Sequence, residues 1–349
     1  QAYSRTNEKN QKTVEASMSE ILLHSPKDTS LIGYEAAKKA ADNKSLGIEL
    51  DISGTDIKDY FAPLLPWEIC AIMAQTSHGK TYFKDWWLGE IAKQFKKQER
   101  KIIVDVHLEE TIEAVAFAEY GTRLGVRPAD LARGVYTDWG KMKGVMTELD
   151  GVPIWHIGIS ANDPEDAPPL TLSNIYRAIR ALKSGEITGE PWSIGLVSVD
   201  YLQVLPIDNE NAKAKRENQR RLQVSSDVNR LRAMTAHLEC PILIPLQAKQ
   251  TLEGNSPPYF IPGTYDGSET MSIATRFDRI ISLWMPSQSH SELIGSQIVG
   301  KDGRRVDVLT DNAWIKIPKQ RGGLPSGKSW ELQIDFKSHQ YKSIYGGIK

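Results

Sequence analysis

The stretch EICAIMAQTSHGKTYFKDWWLGEIAKQFKK, residues 68–97, decides the fold. It opens with the apolar run EICAIMA (68–74), which has the length of a buried strand. It closes with YFKDWWLGEIAKQFKK (82–97), which reads as a helix. Between them, Ala74 to Thr81 reads AQTSHGKT. This matches the pattern G-x-x-x-x-G-K-[ST], with Ala74 in place of the first glycine. A strand before and a helix after are the context that pattern demands, because successive backbone N–H groups then wrap phosphates at a helix N-terminus. Lys80 is expected on the β- and γ-phosphates of a nucleotide and Thr81 on Mg²⁺. Gly79 lets the backbone approach a phosphate closely. Gln75, Thr76 and Ser77 fill the loop, and His78 reads as a packing residue rather than a catalyst.

Outward from this core the pattern repeats. KIIVDVHL (101–108), VPIWHIG (152–158), SIGLVSVDYLQVL (193–205) and CPILIPLQ (240–247) read as strands. TIEAVAFAEYGTRL (111–124), LTLSNIYRAIRALKSG (170–185) and QVSSDVNRLRAMTAHL (223–238) read as helices. Apolar strands alternating with amphipathic helices predict a mostly parallel sheet covered on both faces. IISLWM, AWIKIPKQ and WELQIDF then read as hairpin-like strands extending that sheet. Residues 1–46 are more polar. Val14, Met18, Ile21 and Leu22 fall on one helical face, and a second helix covers 34–41. That segment either caps its own domain or docks on a neighbouring subunit. The expected organisation is an N-terminal helical extension (1–46) and one α/β ATPase domain (47–349). In the pair Trp86-Trp87, one ring is expected in the core and the other at a domain or subunit surface.

The chain has 349 residues; 40 % are hydrophobic and 25 % charged, which is globular composition. Lys and Arg total 43 against 44 Asp and Glu, so no basic coat exists and any nucleic-acid binding needs a local patch. No apolar run approaches the ~20 residues of a membrane span. The polar start QAYSRTNEKNQK has no signal-peptide core. The two cysteines, Cys70 and Cys240, lie in apolar runs and read as buried thiols of a cytoplasmic protein, or of a host cytoplasm if phage-encoded.

Two acids follow strand ends. Asp200 closes the apolar run from Ile194, at the ligand edge of a parallel sheet, where it can hold a metal shell opposite Thr81. Glu109 and Glu110 follow the next strand after the phosphate-loop helix; one of them is expected to orient and deprotonate a water, and Glu110 also to begin the following helix.

Taken together, these segments resemble the C-terminal ATPase domain of DnaB-type replicative helicases, a branch of the RecA-like P-loop NTPase fold. AQTSHGKT is similar to that family's phosphate loop, HLEE to its strand-end Ser-Leu-Glu, and VDYLQVL to its Walker B segment. PILIPLQAKQ resembles the strand carrying its γ-phosphate sensor, and KQRGG (319–323) its Lys-x-Arg-Asn-Gly run. The resemblance covers about residues 47–343. It implies Glu109 as the base, Gln247 as the sensor, and Lys319 and Arg321 acting on a neighbouring subunit's nucleotide. It implies ATP and Mg²⁺ as cofactors and a homo-oligomeric, hexameric ring on single-stranded or forked DNA in replication. The alternatives are a filament- or ring-forming RecA or clock-type ATPase, and a non-unwinding regulator or loader gated by ATP.

The sequence also departs from the family pattern. The globular N-terminal domain that binds primase is missing from this sequence, so primase recruitment is not implied. The glycine-rich approach to the loop is absent, and residues 251–275 differ. Between Lys213 and Arg221, five basic residues (Lys213, Lys215, Arg216, Arg220 and Arg221) face one acid. The segment follows the Walker B strand and resembles a DNA-tracking loop, which would neutralise backbone phosphates.

Overall fold

The computed structural model describes residues 25–42, 47–200, 217–249, 261–267, 276–299, 303, 305–323, 327–336 and 340–344, with the backbone alone for 217–225. Val14, Met18, Ile21, Leu22, Lys213, Lys215 and Arg216 lie outside them, as does most of 251–275.

The chain forms two compact units, residues 1–46 and 47–349. In the first, helix α1 (Pro26–Asp42) spans the expected 34–41 and starts eight residues earlier. Its start is fixed by a reciprocal cap: the Asp28 N–H donates to Ser25 Oγ at 3.2 Å, and the Ser25 N–H donates to Asp28 Oδ2 at 3.0 Å. None of its residues is buried.

The second unit is built on a nine-stranded sheet. Its strands are β1 (Ile69–Ala74), β2 (Lys101–His107), β3 (Ile154–Ile157), β4 (Ser193–Asp200), β5 (Ile242–Gln247), β6 (Arg279–Trp284), β9 (Asn312–Gln320), β10 (Ser329–Asp335) and β11 (Gln340–Ser343). Two further strands, β7 (Gln297–Val299) and β8 (Arg305–Asp307), pair separately. The main order is β11-β10-β9-β6-β1-β5-β4-β2-β3. The six strands from β6 to β3 are parallel; β9, β10 and β11 are antiparallel. The IISLWM segment is therefore not simply the first arm of a hairpin. It is a parallel neighbour of β1 on one side and an antiparallel partner of β9 on the other.

Both faces of the sheet are covered, and the pleat sorts side chains between two cores. In β1, Cys70, Ile72 and Ala74 join one cluster, while Ile69, Ala71 and Met73 join the other. The first core is shared with helix α2 (Lys80–Phe95) and the second with α5 (Leu172–Ser184) and α6 (Glu217–Leu238). Cys70 and Cys240 are free and buried.

Helix ends follow local chemistry. In α3 (Ile112–Leu124) and α5, the N-caps Thr111 and Thr171 accept from the N–H groups of Ala114 and Asn174. The helix after β2 thus begins at Ile112, not at Glu110. After α5, Gly185 has φ +84, and a Cβ there would lie 2.7 Å from the Glu190 backbone. Helix α4 (Trp139–Leu149), capped by Asp138, lacks any clear signal in the sequence. Helix α6 begins six residues before the predicted 223.

The tryptophan pair corrects another expectation. Trp86 and Trp87 are both buried. Trp87 donates from Nε1 to the Glu49 carbonyl and meets Phe61 edge-on, while Trp86 packs against Phe83 and Tyr341. Residues 48–64 and strand β11 cover this side of α2, so both faces of the pair find partners.

Candidate functional site

Strand β1 ends at Ala74, and the chain turns through residues 75–79 into α2. The turn needs left-handed backbone at Ser77 (φ 66) and Gly79 (φ 75). At Gly79 a Cβ would also sit 3.1 Å from Met285 Sδ. Glycine suits that backbone conformation, and a Cβ would also press on the Met285 side chain. The first motif position makes no such demand, because Ala74 is still strand and fully buried.

The loop is held from neighbouring strand ends. The Met285 N–H donates to His78 Nδ1 at 3.0 Å, and His78 is buried. Burial lowers its pKa to about 4, so the ring is neutral and acts as a packing acceptor. Gln75 Nε2 donates to the Lys249 carbonyl at 3.0 Å. Gln247, at the end of β5, donates to Thr76 Oγ1 at 2.8 Å.

The C-terminal ends of β1, β2, β4 and β5 lie side by side. His107 pairs with Asp200 across β2 and β4, and the Leu108 N–H donates to the Asp200 carbonyl at 2.9 Å. Glu109 therefore follows directly beyond Asp200's neighbour. Partial burial lowers the Lys80 ammonium pKa, opposed by Asp200 and Glu109. Glu109 is pushed up from the ordinary carboxylate range, first by loss of water on its protein-facing side and then by Asp200; Lys80 opposes this. Lys80, Asp200 and Glu109 thus share one electrostatic neighbourhood at the edge where a parallel sheet binds ligands. Thr81 and Asp200 offer hard oxygen donors, the set that suits Mg²⁺.

Beneath them lies a group that the sequence does not announce. Lys84, one turn after Lys80 on the same face of α2, is fully buried. Its Nζ lies 3.1 Å from Asp105 Oδ2, 3.4 Å from Asp200 Oδ2 and 3.1 Å from Asp85 Oδ1. Asp200 is therefore held from below by a charge on the phosphate-loop helix. Asp105 in turn meets His107, whose Nε2 is 3.3 Å away. An ammonium inside a helix and an acid inside a strand each read as a surface residue until their partners are known.

Lys319 lies in β9 opposite Ile280, and burial lowers its pKa, with Arg321 adding to the effect. Pro318 falls where the β6–β9 register shifts. Arg321 follows the strand, 59 % exposed, with Nη1 3.0 Å from Asp278 Oδ1. Asp278 also receives Arg232 at 3.0 Å and the Ile69 N–H at 3.0 Å. Within one chain, the Arg321 side chain is thus tied back to the start of β6, apart from the loop at 75–81. Arg220 and Arg221 fall within the first turns of α6. Among the described residues, no helix is long and apolar enough to cross a membrane.

Residues 51–341 match the family described as the DnaB-like helicase C terminal domain. No curated protein sequence matches the chain. The fold is similar to that of a solved ATPase domain, with a TM-score of 0.65 at 16 % identity, covering 92 % of this chain and all of the other. It is also similar to a DnaB-like replicative helicase solved in a study of its interactions with primase, with a TM-score of 0.64 at 16 % identity, covering 95 % of this chain and 70 % of the other.

Proposed function

The chain belongs to the DnaB-like helicase C-terminal domain family and is an ATP-hydrolysing motor of the replicative-helicase type; we propose that it works as a Mg²⁺-dependent hexameric ring on single-stranded or forked DNA. The observation that carries this reading is the convergence of Lys80, Asp200, Glu109 and Gln247 on one sheet edge around the loop at 75–81.

Each residue has a physical task. The loop N–H groups and Lys80 neutralise the β- and γ-phosphates. The Thr81 hydroxyl and the Asp200 carboxylate would hold Mg²⁺, which supplies charge neutralisation on the phosphate oxygens. Glu109 accepts the proton of the attacking water as its oxygen bonds to the γ-phosphorus and the bond to ADP breaks. Gln247, in contact with Thr76, senses whether the γ-phosphate is present. Arg321 and Lys319 reach the nucleotide of the next subunit, where a guanidinium fork bridges phosphate oxygens. Lys213, Lys215, Arg216, Arg220 and Arg221 contact the DNA backbone. Residues 1–46 form an N-terminal helical extension or a linker that docks on a neighbouring subunit.

Glutamine substitutions test the assignment. Glu109→Gln should retain ATP binding and lose hydrolysis on the order of a hundredfold or more, as expected for a positioned base. Glu110→Gln should change the rate little. The reverse pattern in steady-state ATPase assays would move the base by one residue.

A further inference from the structure

Three side chains of metal-ligating type cluster beside the phosphate-loop site, around the Asp105 that meets Lys84. Asp105 and His107 stand two apart on β2, and His156 pairs with Asp105 on the adjacent strand β3. Alternation along both strands therefore puts all three on one face of the sheet. One oxygen or ring nitrogen from each lies within 4.8 Å of the others. His107 Nε2 is 3.0 Å from His156 Nδ1 and 3.3 Å from Asp105 Oδ2.

We propose that Asp105, His107 and His156 form a binding site for a divalent transition-metal ion of the Zn²⁺ class, with its fourth coordination position open to solvent. Ligand bonds of about 2.0–2.1 Å in a tetrahedral arrangement place ligand atoms roughly 3.3 Å apart. Two of the three separations are near that value, and a turn of the partly exposed His156 ring would be needed to close the third. Rigid neighbouring strands carry all three ligands, so little ordering is left for the ion to impose. Two imidazoles with one carboxylate favour Zn²⁺ over Mg²⁺ or Ca²⁺, which prefer oxygen.

The surroundings agree. A cavity of about 430 Å³ is lined by all three ligands and by Glu110 and Glu119, which gives an ion a way in. The Glu119 carboxylate lies 3.8 Å from His156 Nε2, the ring nitrogen left over when coordination uses Nδ1. A small shift would bring it within reach of that ring N–H, as the outer carboxylate of a metal-bound imidazole. Among the described residues, Lys84 is the ammonium that meets Asp105, and it is shared among Asp85, Asp105 and Asp200. A metal ion here would clamp the edge strand β3 to β2 just before Glu109.

The test uses tag-free, nucleotide-free protein, with excess Mg²⁺ present to occupy oxygen-only sites. Zn²⁺ is titrated by calorimetry, and Co²⁺ is added separately to read its visible spectrum. The expected result is one Zn²⁺ per chain and an intense tetrahedral-type Co²⁺ band. Affinity should fall at least about tenfold in His156→Gln and in His107→Gln, and less in Glu119→Gln. His156 is partly exposed, so its variant keeps the fold, which circular dichroism verifies. Absence of stoichiometric binding in the unaltered protein overturns the proposal whatever the variants do. So does undiminished binding in both histidine variants, which would locate the ion elsewhere.

Discussion

Lys84 shows how much of this site rests on one side chain. It is buried between the phosphate-loop helix and the sheet, and it touches the strand-end Asp200 and the buried Asp105 together. Removing one member of a buried ion pair leaves the other charge unpaired, which costs about 3–5 kcal/mol. Lys84→Met should therefore lower unfolding stability by that order in urea titrations. Adding Asp105→Asn should recover part of the loss, because the stranded charge is gone; a strictly additive double variant would show that the two do not interact. The places of Asp200 at the end of β4 and of Lys80 at the start of α2 are legible from strand ends and motif spacing. The burial of Lys84 is not, because helical position alone cannot separate a solvated lysine from one that meets carboxylates on two strands. The Trp86-Trp87 expectation differs from the structure for a related reason: a pair at i, i+1 points two ways, and both directions are covered.

At the level of elements, the alternation of apolar runs and amphipathic helices identifies most of the parallel sheet and its helices, with the start of α6 six residues out. Less legible were strands and helices whose burial depends on distant partners. Strand β11 is four residues pairing with β10 at the sheet edge, and β7 and β8 are three residues each. Helix α4 buries Val145 alone, so it has almost no apolar face to read. Strand order and the parallel placement of β6 beside β1 are properties of the sheet, not of any local pattern. The end of β9 carries its own prediction. Arg321 sits 59 % exposed on the buried Asp278, and that acid would keep Arg232 and the Ile69 N–H if Arg321 turned to a subunit boundary. Arg321→Ala and Lys80→Ala proteins should each be nearly inactive, since such an arginine contributes roughly 10³–10⁵ in rate in other NTPases. Mixed into common rings, they should regain some ATPase at interfaces with both groups intact. No recovery in rings verified as mixed would count against action in trans.

For the whole molecule, the family match describes an ATP-hydrolysing motor of the DnaB-like helicase type. The balanced charge, 43 basic against 44 acidic residues, means that DNA must be held by local segments and not by a general field. The most direct measurement of such a motor is strand displacement from a forked duplex, with ATP and Mg²⁺, by the unaltered chain and by Lys80→Ala. The unaltered chain should separate the strands with ATP and not without it, and Lys80→Ala should separate none. ATP hydrolysis that proceeds normally while the fork stays paired would contradict the helicase assignment.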